Sequence, residues 1–543
     1  MLKRSVIFRW RGGALGAVMI IAVYLIMLSA CNDANAPNDA VREPPRQVVR
    51  LPDGMSDEAR RIYNHHTEMD PESGTGLFPW VWVQALNDLE TGRPFMENYE
   101  RFGLIRDTDE PEQLPVGFGV TNEFLGVNCA VCHVGQLDYE GQRIIVTGAP
   151  NVHDAYENFL LGLIETLVAT LTDDRLRESY FERILGAEVK TDEHVRLQGE
   201  IEAWLAPFLG DNTLSEFAFA ITTQNLLSSV FGTSALEGTH AFELSRPTFF
   251  GPENEYTTQA KVDTPPIWGL QFIQNLHYNG NTNSIIERNF ISALNTYFGG
   301  DLNMILNTDP HRLNEIELAA WQIKVPAWPE EVLGAIDPQL AQQGEALYAQ
   351  HCAACHATTY PTERTTLPTF PAEEIGTDML YFEVFDQPIV NFNGLAEQPY
   401  DQALRKGMDI IKAQWLPRYN MSPEEVQTIE AGEAPWWKFE RVWVAEPLAG
   451  IWASAPYLHN RSVPTLYHLL LPPEERPQTF PVGHFEYDPK LMGFRTDIQS
   501  DDPNYVGSID TNAEGQSNAG HEYGTNLSDE ERMALIEYLK TLR

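Results

Sequence analysis

The chain has 543 residues, and its 77 acidic residues outnumber its 37 basic residues, which gives a formal net charge of −40. This charge disfavours nucleic acid and anionic lipid surfaces as partners. It suits either solubility outside the cell or attraction of a small basic electron-transfer protein. The length exceeds what one hydrophobic core usually organises, so we expect two or three domains.

Residues 1–30 have the pattern of an export signal, with a basic start and an apolar run from Ala14 to Leu28. The run ends in Leu28-Ser29-Ala30-Cys31, which resembles the lipobox of bacterial lipoproteins, whose cysteine is lipidated. Cys31 would then be the one membrane attachment; an ordinary cleaved signal and an uncleaved anchor are the alternatives. All three place the folded part in the cell envelope, on the periplasmic side or at the cell surface. Residues 31–55, with prolines among polar residues, predict a flexible tether.

Two pentapeptides organise the rest of the chain: Cys129-Ala130-Val131-Cys132-His133 and Cys352-Ala353-Ala354-Cys355-His356. In a C-x-x-C-H motif the two cysteines bond to haem c, and the histidine that follows becomes the proximal ligand of the iron. Such cysteine pairs also occur in zinc sites and redox dithiols, but four-cysteine zinc sites keep their pairs roughly 15–20 residues apart. More than two hundred residues separate these pairs. The sequence therefore predicts two covalently bound haem c groups.

The predicted fold is mainly α, with two cytochrome c-like haem domains, long loops and few short strands. Apolar residues recur at three- and four-residue spacing from Phe159 to Leu171 and from Ile201 to Phe208, which predicts helices. The segment from Lys324 to Pro329 contains two prolines and interrupts the helical pattern, so it is the predicted linker. We expect an N-terminal haem domain with insertions at residues 56–325 and a C-terminal one at 330–543.

The C-terminal haem domain has the clearer helical pattern. Gly344, Tyr348 and Cys352 recur every four residues and share one helix face. This is similar to the first helix of cytochrome c domains, which packs on the C-terminal helix. Ser528 and Glu531 stand in capping-box relation before an apolar face, which predicts that C-terminal helix.

The sixth ligand of each iron decides the function. An iron with only a proximal histidine binds dioxygen or peroxide, whereas an iron closed by a second protein ligand mainly passes electrons. The first motif follows residues 115–127, which lack a clear helical pattern, and no convincing distal ligand for His133 can be chosen. His277 is a weak candidate for this distal ligand, followed by His153 and His240. A histidine in a loop more often forms structural hydrogen bonds than coordinates an iron. An open site is the preferred interpretation.

The segment from Ile451 to Leu466 contains Ala455-Pro456-Tyr457-Leu458-His459-Asn460-Arg461-Ser462. It resembles the A-P-Y-x-H-x-G-S-x-x-T-L signature of the di-haem cytochrome c peroxidase superfamily, and most closely the branch containing bacterial rubber oxygenases. Residues 262–268, 471–477 and 517–524 look like further landmarks of that branch. The resemblance covers roughly residues 110 to 543.

The resemblance implies that His133 is the proximal ligand of the reactive haem and His356 that of an electron-transfer haem. It implies His459 as the distal ligand of the second haem, with Met492 as the competing candidate. Arg461 stands where the signature usually has glycine, and a left-handed backbone is unfavourable for arginine. The loop is therefore expected to differ locally, with Arg461 either reaching a haem propionate or lying exposed.

These features predict an exported di-haem c-type oxidoreductase. In the rubber-oxygenase-like version, the N-terminal haem activates dioxygen for attack on an apolar unsaturated substrate, and the C-terminal haem transfers electrons. One alternative is a di-haem peroxidase that reduces hydrogen peroxide. The other is a non-enzymatic electron carrier, although the chain is far longer than two haem-wrapping domains of about 100 residues each require.

Overall fold

Helices joined by small sheets make up the folded chain. In a computed structural model, the described residues are 47–70, 72, 76–89, 91–109, 114–151, 155–186, 191–209, 214, 246, 249–256, 260–296, 306–499 and 507–543. Residues Pro45–Arg543 form one compact unit. Within the described ranges, no helix combines the length and the hydropathy needed to cross a membrane.

The α-helices are α1 (Asp57–His65), α2 (Trp80–Ala85), α3 (Ala155–Thr172), α4 (Asp174–Leu185), α5 (Thr191–Leu209), α6 (Ile285–Thr296), α7 (Pro310–Ala320), α8 (Glu330–Leu333), α9 (Pro338–His351), α10 (Ala372–Ile375), α11 (Glu383–Asp386), α12 (Tyr400–Arg418), α13 (Pro423–Ile429), α14 (Leu466–Leu469) and α15 (Asp529–Leu539). The strands are β1 (Gln47–Arg50), β2 (Phe78–Pro79), β3 (Phe118–Thr121), β4 (Phe124–Val127), β5 (Val134–Tyr139), β6 (Gln142–Thr147), β7 (Thr369–Pro371), β8 (Ile389–Val390), β9 (Glu397–Gln398), β10 (Val442–Val444), β11 (Thr479–Val482), β12 (Tyr487–Asp488), β13 (Gly493–Phe494) and β14 (Gly507–Asp510).

Two three-stranded sheets flank the first haem motif. One has the order β2-β4-β3 and is antiparallel, and the other has the order β1-β6-β5, with β1 parallel to β6 and β5 antiparallel to β6. The motif at residues 129–133 is the connection from β4 to β5, so it lies where one sheet passes into the other. The remaining strands pair in twos as β7-β10, β8-β9, β11-β14 and β12-β13.

Helices α7 and α9 begin in the same way. Each has an aspartate N-cap, Asp309 or Asp337, whose carboxylate accepts a hydrogen bond from a backbone N–H of the first turn. A proline follows each cap, where its missing N–H costs nothing. Helix α15 has the predicted capping box, in which Ser528 and Glu531 each bond the other's backbone N–H.

A similar pair of packed helices accompanies each of the two motifs. Helix α9 packs on α15, and an added Cβ on Gly344 would overlap the carbonyl oxygen of Ala534. The rings of Tyr348 and Tyr538 lie 5.3 Å apart in this contact. Helix α1 packs on α7 in the corresponding place before and after the first motif. The predicted contact between the first and last helices of the C-terminal part is therefore confirmed.

One large hydrophobic cluster draws residues from both predicted haem domains. It contains Tyr63 and Ala130 from the N-terminal part together with Tyr348, Trp452 and Leu535 from the C-terminal part. Cys129 and Cys352 pack against it. The predicted helices and short strands are present, but the fourteen described strands form several small sheets, so the structure is mixed rather than mainly α. The two haem domains and their division at residues 325–330 stay predictions.

Candidate functional site

The first motif forms a tight turn that brings its three functional side chains together. Residues Cys129–Val131 make a short 3-10 helix, and the Asn128 side chain caps it by accepting a hydrogen bond from the N–H of Ala130 at 2.8 Å. The N–H of His133 donates to the carbonyl of Cys129 at 3.0 Å. Cys129, Cys132 and His133 are thus presented from one turn, as covalent haem attachment requires.

A loop folds back over this turn. Gly148 donates its N–H to the carbonyl of His133 at 2.8 Å, and Asn151 donates its N–H to the carbonyl of Cys132 at 2.7 Å. The side-chain amide of Asn151 also reaches the carbonyl of Val131 at 3.3 Å. These bonds satisfy the carbonyls of Val131, Cys132 and His133, so the loop fixes the shape of the turn.

A tyrosine hydroxyl is bonded to the motif histidine at each site. Tyr63 of α1 donates to the carbonyl of His133 at 3.2 Å, and Tyr348 of α9 donates to the carbonyl of His356 at 2.7 Å. Ala59 precedes Tyr63 by four residues, just as Gly344 precedes Tyr348. Helix α1 is therefore the counterpart of α9, although sixty-odd residues separate it from its motif.

One ring nitrogen of His356 is hydrogen-bonded, which leaves its other nitrogen for a metal ion. Its Nδ1 atom lies 2.7 Å from the carbonyl oxygen of Glu446, which fixes that nitrogen as the donor and leaves Nε2 to coordinate. Burial lowers the pKa of His356, so the ring is neutral. Ala353 and Ala354 are exposed, and this motif therefore lies closer to the surface than the first, whose Ala130 and Val131 are buried.

His521 lies opposite His356. The two ring centres are 6.2 Å apart, and the ring planes are inclined at 51°. A metal ion lies about 2 Å from an imidazole nitrogen, so two imidazoles on opposite sides of one ion have ring centres about 6 Å apart. Burial, together with the charges of His356 and Arg476, lowers the pKa of His521 to about 4. Both rings are therefore neutral and suited to hold one iron between them.

His459 and Met492, the two sequence candidates for this position, have other contacts. The ring of His459 stacks on Trp443 with centres 4.4 Å apart and lies 5.9 Å from the Tyr381 ring. Met492 is fully buried in the large hydrophobic cluster, and its carbonyl accepts a hydrogen bond from the Tyr457 hydroxyl at 3.0 Å. The role of His459 as an iron ligand stays a prediction, and the geometry favours His521.

The surroundings of His133 differ from those of His356. Burial and the charge of Arg288 lower the pKa of His133 to about 4, while the backbone of Pro265 opposes part of this shift. Its Nδ1 atom is buried and makes no hydrogen bond of good geometry. Among the described residues, no histidine ring contacts it as His521 contacts His356. Of the weak candidates, His153 and His240 lie outside the described residues, as does Cys31.

His277 and His133 are both influenced by the charge of Arg288. The backbone of His277 is left-handed at φ +69, and its Nδ1 atom lies 2.7 Å from the side-chain oxygen of Asn281. Burial lowers its pKa to about 4, and Arg288 contributes to this shift as it does for His133. Arg288 itself is paired with Glu317 at 2.5 Å. His277 is thus a hydrogen-bonded, half-buried histidine, and its role as a ligand stays a prediction.

The first cysteine of each motif, Cys129 and Cys352, lacks the lowered thiol pKa that a redox pair needs. All four motif cysteines are free of disulfide bonds. Burial raises the pKa of the Cys352 thiol to about 11 and also raises that of Cys129 well above its usual range. Redox-active dithiols have lowered pKa values instead. No group of three or more His, Cys, Asp or Glu side chains in the described chain could hold a separate metal ion.

Arg461 is buried, which contradicts the expectation that it could lie exposed. It has the left-handed backbone that the glycine of the signature would favour, at φ +58, and its side chain is 1% exposed. Its Nε atom donates to Asp263 at 2.5 Å, and the N–H of Asp263 donates to the carbonyl of His459 at 2.6 Å. A buried ion pair thus joins the signature segment, residues 451–466, to the segment at residues 262–268.

Comparison with known proteins places a family match across this region. Residues 442–481 match a family described as RoxA-like, cytochrome c-like. The match supports a rubber-oxygenase-like cytochrome c relationship. It begins at β10 and includes His459, Arg461 and Arg476.

Two curated relatives come from Sinorhizobium fredii. Uncharacterized protein y4iJ is 28% identical to this chain over an alignment 568 positions long, which covers 89% of this chain and 92% of the relative. Uncharacterized protein y4iM is 27% identical over 310 residues, which cover 52% of this chain and 64% of the relative. Neither name assigns an activity.

Proposed function

We propose that the chain is an exported di-haem c-type oxidoreductase whose N-terminal haem activates dioxygen for oxidative attack on an unsaturated apolar substrate. The observation that carries the proposal is the RoxA-like, cytochrome c-like match at residues 442–481, in a chain with two C-x-x-C-H motifs. We place the chain in the rubber oxygenase branch of the di-haem cytochrome c peroxidase superfamily, and we assign one haem c to each motif.

The residues at the two motifs fit haem with different coordination. His356 and His521 are neutral and half-buried, with ring centres 6.2 Å apart, which suits an iron closed on both sides. His133 is neutral but has no such partner among the described residues. Haem c bound at these motifs would supply one-electron transfer where two histidines hold the iron, as His356 and His521 would, and dioxygen chemistry where His133 alone would hold it.

The first motif is suited to an apolar substrate because hydrophobic side chains surround it. Cys129 and Ala130 belong to the large cluster that spans the chain. Val131 and Cys132 belong to a second cluster, which includes Phe118 and Phe159. A site between two such clusters excludes water and strengthens the electrostatic effects of the few polar groups present.

The C-terminal motif is suited to receive electrons. Its exposed Ala353 and Ala354 bring the attachment turn to the surface, where a small electron-transfer protein could approach it. The acidic net charge favours a basic partner. We further propose that Cys31 anchors the chain to a membrane of the cell envelope.

Product analysis tests this function. The purified protein is incubated with a polyisoprenoid under isotopically labelled dioxygen, and products are identified by mass spectrometry. We expect shortened chains with labelled carbonyl ends. Turnover of hydrogen peroxide with a reduced electron donor, without labelled products, would establish the peroxidase instead. Absence of both reactions, with both irons closed to added ligands, would establish the electron carrier.

A further inference from the structure

The loop that carries His521 has a backbone that needs external support. Gly520 and His521 both have left-handed conformations, at φ +78 and φ +49. A non-glycine residue in this region costs on the order of 1 kcal/mol or more and persists only where its surroundings hold it. A Cβ on Gly520 would overlap the backbone of Gly376, so the loop is also closely packed.

Arg476 holds this loop from one side. The residue is 2% exposed, and its guanidinium bonds four backbone carbonyls. Its Nη1 atom donates to the carbonyls of Gly520, at 2.9 Å, and of Asn518. Its Nε and Nη2 atoms donate to the carbonyls of Leu471 at 3.0 Å and Leu469 at 3.2 Å. One side chain therefore joins the His521 loop to the end of α14.

Other bonds hold the loop from the far side. The side-chain amide of Asn460 donates to the carbonyls of Gly515 at 3.2 Å and Ser517 at 3.0 Å. The N–H of Ser517 donates to Asp378 at 3.2 Å, and the N–H of His521 donates to the carbonyl of Ile375 at 2.8 Å. Arg476 and Asn460 lie within the RoxA-like match, whereas His521 lies outside it.

We propose that Arg476, with Asn460, is a positioning residue that holds His521 opposite His356 and so keeps the iron of the C-terminal haem closed. This inference rests on the proposed function, because it requires His521 to be the distal ligand. Burial of a guanidinium that is bonded to four backbone carbonyls is costly unless it fixes those carbonyls in place. Two of the four lie within three residues of His521.

The positive charge of Arg476 should also affect the reduction potential of the C-terminal haem. A buried cation near the iron favours the ferrous over the ferric state, because reduction removes one positive charge from the site. The Arg476 guanidinium bonds the carbonyl of Gly520 at 2.9 Å, and Gly520 is the residue directly before His521. In molecules that keep His521 bound, loss of the charge should therefore lower the reduction potential of the C-terminal haem, an effect that a purely structural arginine would not have.

The test compares Arg476→Met with Arg246→Met in the full-length holoprotein. Arg246 is an internal match: it is also 2% exposed and also bonds four backbone carbonyls, those of Asn254, Val384, Gln387 and Pro388. The readouts are electron paramagnetic resonance of the ferric protein, cyanide bound per chain and the reduction potential of each haem. We expect Arg476→Met to lose most of the low-spin signal of the C-terminal haem and to raise cyanide binding from one to two per chain.

The controls separate this inference from the ligand assignment. Arg246→Met should destabilise the fold similarly and leave the signal unchanged. Arg476→Lys should retain more of the signal than Arg476→Met, because it keeps a cation beside the loop. A folded Arg476→Met with an unchanged signal, or an Arg246→Met that alters it equally, would overturn the inference. If His521→Ala itself stays low-spin, the ligand assignment is wrong.

If Arg476→Met does not fold, Asn460→Ala provides the test. It removes two hydrogen bonds from the same loop without leaving a buried charge. We expect cyanide to bind the C-terminal haem at least tenfold faster in this variant than in the wild type. An unchanged rate would overturn the role of this network in holding His521.

Discussion

The imidazole rings of His356 and His521 face each other with centres 6.2 Å apart. His356 is fixed by the carbonyl of Glu446, and His521 is presented by a loop that is bonded on both sides. This arrangement makes His521 the proposed second ligand of the C-terminal iron. It also gives the signature segment around His459 a different task, which is to support that loop through Asn460.

Replacement of His521 should open the C-terminal haem. We expect His521→Ala to convert the low-spin ferric signal of this haem to high spin and to add one cyanide site per chain. His459→Ala, which removes a ring stacked on Trp443, should leave that signal in place. The opposite pattern, with His459→Ala opening the haem and His521→Ala leaving it closed, would restore His459 as the ligand.

The contact of α9 with α15 should tolerate no side chain at Gly344. Gly344→Ala places a methyl group against the carbonyl of Ala534, and overpacking of this kind costs about 1–3 kcal/mol in the free energy of unfolding. Gly199→Ala is the matched control, because Gly199 is an exposed glycine in α5 with no atom within 4 Å of its added Cβ. That variant should gain up to about 1 kcal/mol. Denaturant unfolding measures both, and equal effects would contradict the close packing.

Glu68 should make the native state less stable as the pH rises. The side chain is 1% exposed, and burial raises its pKa from 4.5 to about 8. Between these values the native protein holds a proton that the unfolded chain has lost, so stability falls by up to about 1.4 kcal/mol per pH unit. Glu68→Gln should remove this slope and be more stable than the wild type at pH 8. Glu440→Gln, at an exposed carboxylate, should keep it.

The wild type and Glu68→Gln are compared for the stability that each loses between pH 5 and pH 8. An equal loss in the two proteins would contradict this account of Glu68. Thermal unfolding at the two pH values is sufficient to distinguish them. Agreement of the two slopes would mean that Glu68 is hydrated and ionised in the native protein.

The buried pair of Arg461 and Asp263 should resist restoration of the glycine found in the signature. Arg461→Gly relieves a left-handed backbone but leaves the Asp263 carboxylate buried without its cation, and breaking a buried pair costs about 3–5 kcal/mol. The double variant Arg461→Gly with Asp263→Asn should recover a large part of this loss. Unfolding measurements on both variants test the pair, and an equally unstable double variant would contradict the pairing.

Local patterns predicted the C-terminal haem helix well because they are contained in one element. Gly344 and Tyr348 lie four residues apart on α9, Cys352 follows four residues later as its C-cap, and the capping box of α15 lies within four residues. The counterpart helix α1 was missed because its Tyr63 is separated from Cys129 by a hairpin and other inserted segments. The four-residue spacing of Ala59 and Tyr63 was the available signal.

The distal ligand was harder to predict because it depends on contacts between distant segments. His521 reaches His356 only when the loop at 515–521 packs against residues 375–378 and Arg476. The sequence showed that residues 517–524 resemble a family landmark, but it gave no reason to prefer His521 over His459. Arg461 likewise required the fold, since its partner Asp263 lies almost two hundred residues earlier.

Cyanide binding to the wild-type ferric protein tests the central claim most directly. The account predicts one cyanide per chain, bound at the His133 haem, while the haem held by His356 and His521 keeps its low-spin signal. The paramagnetic resonance spectrum recorded during the titration assigns the site that changes. Binding of no cyanide would show two closed irons, and binding of two would show that His521 does not close the second haem; either result would contradict the account.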